Sequence, residues 1–158
     1  MSQLLTDPVA NQQRTPKQRV PAIDGWFTTD EREPQLLGTR CATCGTFFFP
    51  PERTFCRNPA CDGTDLEEVR LSRRGRVWSS TVNHYPPPPP AVSSDPFVPY
   101  GVAAVELDEE RMVVLGQVAG ERTEPLPVGA EVEVTLDTLY EDDDHEYLVW
   151  KWRPVEAG

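Results

Sequence analysis

Cys41-Ala-Thr-Cys44, eleven further residues, then Cys56-Arg-Asn-Pro-Ala-Cys61: all four cysteines of this 158-residue chain fall within one short stretch. A C-x2-C turn points successive backbone amides at the first sulfur and aims both thiolates at one point. Two such knuckles facing each other make a tetrahedral cage of four sulfurs. Gly45, directly after the first pair, permits the tight turn. The second pair is spaced C-x4-C around Asn58-Pro59 and is followed by Gly63, a spacing still within zinc-ribbon range. The pattern points to one structural zinc held by Cys41, Cys44, Cys56 and Cys61. Two disulfides are the alternative, disfavoured in a chain without an export signal. Iron in a rubredoxin-like site is another, although such sites usually come as small autonomous domains. Four thiolates close the metal's coordination shell, so this metal is expected to hold structure and do no chemistry.

Working outward, the segment from Leu36 to about Glu68 is too short to bury a core alone, and the metal supplies what burial cannot. Leu36 to Arg40 reads as the strand entering the first knuckle and Thr46 to Pro50 as the strand leaving it. Phe47, Phe48, Phe49 and Phe55 are expected to pack between and around the knuckles. Upstream, residues 1–22 are polar and carry Pro8, Pro16 and Pro21, so residues 1–34 read as a flexible arm. Within it a short helix is expected, capped near Thr29 or Asp30 and ended by Pro34. Trp26 and Phe27 either close one end of the ribbon or anchor a partner, since aromatics on an arm make good interface hot spots.

From Arg76 onward the period changes to that of strands: 76–85, 100–107, 112–118, 131–140 and 147–152. Asp108-Glu-Glu-Arg111 makes a hairpin turn between the second and third, and Glu131-Val-Glu-Val134 alternates between wet and buried faces. Five short strands after a separate ribbon predict a small closed barrel of the OB type. The fold class is therefore mainly β, a rubredoxin-like zinc ribbon over residues 35–69 followed by a five-stranded OB-fold barrel over 70–156. The link from Ala119 to Gly129 has two prolines and no helical pattern, so any helix there is short or missing.

Two loops stand out. Pro86 to Pro90 is an unbroken run of five prolines leading to Asp95-Pro-Phe97 and Pro99-Tyr100. Such a run prefers extended polyproline II and cannot join a sheet ladder. It reads as a stiff loop that covers a barrel mouth or lies on a partner, with Phe97 and Tyr100 as its anchors. The last loop, Glu141-Asp-Asp-Asp-His-Glu146, sets five carboxylates around His145. It is a solvated turn or, through Asp142, Asp143, Asp144 and His145, a dock for a basic patch that biases association. Neither His145 nor His84 has a companion nucleophile motif, and no independent active site is visible.

Residues 1–80 carry a net charge of +1 and residues 81–158 a net −12, together −11. So acidic a surface repels a phosphodiester backbone, which disfavours nucleic acid. The exception is Arg70, Arg73, Arg74 and Arg76 near the middle. Arg73 and Arg74 are the residues best able to meet the phosphates of coenzyme A, if they are not simply solvated at the hinge between ribbon and barrel. No run approaches the roughly 20 apolar residues of a membrane span and the first residues lack a signal-peptide core, so the chain reads as soluble and cytoplasmic.

Arg40-Cys-Ala-Thr-Cys-Gly45, Phe49-Pro-Pro-Glu-Arg53 and the second cysteine pair open an ordered series. Gly75-Arg-Val-Trp-Ser79, Val102-Ala-Ala-Val-Glu-Leu-Asp108 and Val128-Gly-Ala-Glu-Val-Glu-Val134 continue it. This series resembles the zinc-ribbon plus OB-fold family of acyl-CoA-associated proteins catalogued as domain of unknown function thirty-five. The resemblance covers roughly residues 35–155. It implies a small partner of a thiolase-like enzyme that handles acyl-CoA thioesters, with the catalytic groups in the partner chain. The closing stretch Tyr140 to Trp152 is most similar to the branch linked to bacterial steroid side-chain degradation. There a lipid-transfer-protein-like thiolase homologue acts as a retro-aldolase on a steroid acyl-CoA, and its OB-fold partner is fused to, or works with, a MaoC-type hydratase. Pro34 truncates the longer amphipathic helix that many relatives place before the ribbon.

The residues alone lead to the same class, an acidic, zinc-stapled interaction subunit that is not itself an enzyme. Its rivals are a free-standing acyl-CoA-binding module and, less favoured, a nucleic-acid-binding zinc-ribbon OB protein.

Overall fold

The structure, a computed structural model, describes residues 15–91 and 93–155. Among the described residues nine strands run β1 (Gln18–Pro21), β2 (Leu37–Cys41), β3 (Phe47–Phe48), β4 (Leu66–Arg70), β5 (Arg74–Asn83), β6 (Tyr100–Leu107), β7 (Val113–Gln117), β8 (Glu131–Glu141) and β9 (His145–Pro154). There is no helix among the described residues. The ribbon is an antiparallel sheet of order β3-β2-β4, and the remaining strands form a six-stranded sheet of order β1-β9-β8-β5-β6-β7.

Strands form where apolar residues alternate. In β6, Gly101, Ala103, Val105 and Leu107 are buried while the residues between them are half-buried. Val132 and Val134 do the same in β8, as expected for strands with one face on a core. The turn at 108–111 closes with the Leu107 N–H donating to the Met112 carbonyl at 2.9 Å. The sheet closes on itself through a parallel bridge between Val118 and Trp152, where the Ala119 N–H donates to the Trp152 carbonyl at 2.8 Å. Strands β5 to β9 thereby make the five-stranded OB barrel, since closure alone removes the unpaired edges of the sheet.

One core serves ribbon and barrel. Leu36 of the ribbon is fully buried with Leu71, Val105, Val132 and Trp152 of the barrel. Trp26, Phe49 and Trp150 meet edge to face in a ladder, each neighbouring pair of centroids 5.8 Å apart. Such pairs add about 0.5–1.5 kcal/mol beyond their buried area.

Three expectations are corrected. The short helix near Thr29 is absent, because residues 28–35 close instead as a loop between the bridged pair Phe27 and Leu36. The Asp30 carboxylate takes the Arg32 N–H at 3.0 Å, and the Thr28 hydroxyl takes the Gln35 N–H at 2.9 Å. These local bonds compete with the helical ones. The arm is not wholly loose either: Gln18 to Pro21 pair in parallel with His145 to Leu148, an edge position that tolerates Pro21. The part of that expectation covering residues 1–14 lies outside the described residues. Phe55, finally, is 49% exposed with the Arg57 guanidinium over its ring, while Phe49 turns away from the knuckles to the barrel.

Candidate functional site

Strand β2 ends on Cys41, and Gly45, at φ +80°, turns the chain back so that its N–H donates to the Cys41 carbonyl at 2.8 Å. A side chain at that φ would be strained. The second knuckle closes with the Cys61 N–H on the Asn58 carbonyl at 2.9 Å, and the Cys56 N–H reaches the Gly63 carbonyl at 2.9 Å. The four Sγ atoms lie within 4.8 Å of one another. Cys41 and Cys61 are 3.9 Å apart and Cys44 and Cys56 3.6 Å. Sulfurs about 2.3 Å from one tetrahedral zinc stand roughly 3.8 Å apart, against about 2.05 Å in a disulfide. The donor set therefore fits one structural zinc, with Cys41, Cys44, Cys56 and Cys61 as its ligands and no ligand position left for a substrate.

The thiols are unequal before metal enters. Cys44 is drawn down to about 6, first by the Thr46 hydroxyl donating to its sulfur across 3.1 Å, then by the Thr46 N–H. At Cys56 the Asn58 N–H pulls down, but desolvation and the neighbouring cysteines Cys44, Cys41 and Cys61 outweigh it and push the thiol up to about 12. Cys41 is drawn down as well, first by the Cys44 N–H, and a metal that binds all four must displace whatever thiol protons remain.

The expected surface residues separate into engaged and exposed ones. Phe27, read from sequence as either closing one end of the ribbon or anchoring a partner, is only 4% exposed and belongs to the core. Trp26 is half-buried in the ring ladder. Arg73 donates through Nε to the Pro34 carbonyl at 3.2 Å, tying hinge to loop. Arg74 pairs with Glu131 at 3.2 Å and Glu133 at 3.6 Å. The chain's own acids thus already pair Arg74 of the central basic cluster.

Phe97 and Tyr100 do meet, edge to face at 6.1 Å, and the Asn83 amide donates to the Tyr100 hydroxyl at 2.8 Å. Between their loop and β8 lies an open groove of about 430 Å³, lined also by Leu139, Tyr140, Asp137 and Lys151. The Lys151 amine pairs with Asp137 at 2.9 Å.

In the acidic turn one carboxylate differs from its neighbours. Asp142 accepts from the Tyr147 hydroxyl at 2.8 Å and from the N–H groups of Asp144 and His145 at 2.9 and 2.6 Å. Those three donors, the Tyr147 hydroxyl foremost, hold it down at about 2. Tyr147 also stacks on Tyr140 at 4.4 Å. Asp143 and Asp144 are exposed, and His145 lies 3.5 Å from the Asp142 carboxylate.

Sequence reasoning missed the large apolar residues left outside. Trp78 is 64% exposed, Leu115 67% and Val128 77%. The signal was present in Val113-Val114-Leu115, since an unbroken apolar run in a strand places apolar groups on both faces.

Comparison with known proteins agrees with this architecture. The family model for the rubredoxin-like zinc ribbon domain of ChsH2 matches residues 29–67, and that for the ChsH2 C-terminal OB-fold domain matches residues 68–137. A DUF35 domain-containing scaffold protein of Methanocaldococcus jannaschii is 33% identical, over 77% of this chain and 82% of its own length. The benzoylsuccinyl-CoA thiolase subunit BbsA of Thauera aromatica is 31% identical, over 80% of this chain and 81% of its own. Among solved structures, a chain of the Ltp2-ChsH2(DUF35) aldolase superposes with a TM-score of 0.57 at 32% identity, covering 85% of this chain and 98% of that one. With both units matched in order and relatives covered over most of their length, the chain belongs to the DUF35 family, in which a rubredoxin-like zinc ribbon precedes an OB-fold domain.

Proposed function

We propose that this chain is a noncatalytic partner subunit that binds and activates a thiolase-like enzyme acting on an acyl-CoA thioester. The observation that carries the reading is the match to nearly the whole of a chain of the Ltp2-ChsH2(DUF35) aldolase, alongside relatives named as scaffold and thiolase subunit. The site geometry supports it: four thiolates around one metal leave no position for substrate. In the finer form of the proposal the reaction is a retro-aldol cleavage of a steroid side-chain acyl-CoA. That form rests on the stretch Tyr140 to Trp152, which spans the β8–β9 hairpin tip and most of β9. Bridging to a MaoC-type hydratase, a cytoplasmic setting, and the division into a ribbon at 35–69 and a barrel at 70–156 belong to the same proposal. No helix of the described residues is long and apolar enough to cross a membrane.

A tagged chain purified from its native host at moderate salt, with mass spectrometry of what copurifies, tests this directly. Stoichiometric recovery of a thiolase-like protein is expected. Recovery of the chain alone, loaded with acyl-CoA, would instead favour the free-standing binding module. The groove between the proline-rich loop and β8, with its Phe97, Tyr100 and Tyr140 walls, is the feature that keeps that second reading in view.

A further inference from the structure

We propose that the outer face of β5, β6 and β7, centred on Trp78 and Leu115, is the surface on which the thiolase-like partner seats. This inference rests on the partner-subunit reading above. In an antiparallel sheet, directly paired residues share a face. The pairs Ser79 with Ala104 and Ala104 with Leu115 set one row on the outside of the barrel, and Arg76 with Glu106 and Glu106 with Val113 set the next. The register shift between Val77 and Ser79 inserts Trp78 between these two rows. On the other side of β5, the Gly129 N–H donates to the Val77 carbonyl at 2.8 Å and brings Val128 alongside.

The inner face is already complete, with Val77, Val105 and Val114 all buried. Trp78, Leu115 and Val128 therefore lie outside the core, and with Val113 at 43% exposure they leave apolar side chains facing water on or beside this face. At these exposures the four side chains leave on the order of 450 Å² of apolar surface, comparable with the largest patch on a typical monomer. A standard interface needs about 800 Å² per partner, so these side chains supply its dry centre and a polar rim the remainder.

Charge selects the occupant. Around them, Glu106 is paired with Arg111 at 3.5 Å, Arg74 with Glu131, and the Arg76 guanidinium donates to the Gly129 carbonyl at 3.2 Å. The two ion pairs cancel and Arg76 keeps its charge, so the named groups leave the centre at a single positive charge within a chain of net charge −11. A second copy brings the same −11 and is repelled. The face instead suits a different protein that offers an indole-sized apolar pocket within a neutral or basic surround.

The test uses the full chain with its zinc. Trp78→Ser, Leu115→Ser and Val128→Ser, singly and together, are titrated against the thiolase-like enzyme that wild type recovers, with metal content and thermal melts measured beside them. We expect the triple variant and Trp78→Ser to bind at least tenfold more weakly with zinc and melting temperature unchanged, and Trp78→Phe to recover most of the loss. If wild type binds the enzyme and all variants bind within threefold of it, the face is not the dock, although the partner reading stands. If wild type recovers no thiolase-like enzyme, the partner reading fails and this inference fails with it. A wild-type homodimer that Trp78→Ser dissolves would overturn the inference in favour of self-association. Should one variant lose its fold, the remaining two exposed positions carry the same measurement.

Discussion

Asp142, Asp143 and Asp144 are one acidic run to a reader of the sequence, yet among the described residues only the first has its carboxylate tied into the fold. Its carboxylate collects three donors and is held at about 2, below the ordinary value of about 3.9. A group depressed on folding contributes stability that is present above its unfolded value and lost as pH falls through its folded one. We therefore expect Asp142→Asn to flatten the fall in melting temperature between about pH 4 and pH 2, followed by circular dichroism. Equal acid limbs in wild type and variant would show that the turn does not depend on this charge. The cysteines differ from Asp142 in how early they could be read. Their role follows from identity and spacing, because a tetrahedral sulfur cage is local chemistry that Gly45 and Gly63 accommodate. What Asp142 does depends on Tyr147 arriving across a turn, and what Phe27 does depends on Leu36 opposite it, neither of which spacing reveals.

The elements of the barrel were legible where alternation is strict. Strands β6 and β8 fall where Val, Ala and Glu alternate, and the turn at 108–111 is marked by its charge. The pairing of β1 with β9 was not legible, because a four-residue polar strand with a proline carries no period of its own. Nor was the loop at 28–35, where Thr and Asp serve a closed loop as readily as a helix cap. Packing across elements is stricter than either. A Cβ on Gly116 of β7 would meet the Trp150 ring at 2.3 Å and the Trp152 indole nitrogen at 2.9 Å. Gly116→Ala should therefore cost about 1–3 kcal/mol by overpacking, measured by urea unfolding; an unchanged midpoint would mean that the barrel relaxes around the methyl group. At the hairpin tip, Asp143→Asn with Asp144→Asn removes charge without touching the Asp142 turn. If the tip steers docking, the association rate with the partner enzyme should fall severalfold and lose salt dependence, while the dissociation rate holds. A rate equal to wild type would make the tip a solvated turn.

Across the whole molecule, ribbon and barrel act as one body because Phe49, a ribbon residue, stands between Trp26 and Trp150. Metal loss should consequently be felt in the barrel. Chelation is expected to shift tryptophan emission to the red and lower the barrel's melting temperature, and Cys44→Ser or Cys61→Ser should do the same while abolishing metal retention. A barrel that melts unchanged without metal would separate the two units. Under the proposed function, chemistry resides in the partner and this chain makes it active. The most direct measurement follows cleavage of an acyl-CoA thioester by three samples: this chain alone, the thiolase-like enzyme alone, and the two combined. Turnover is expected in the combined sample and none from this chain by itself. Turnover by the isolated chain, or full activity of the enzyme without it, would contradict the claim.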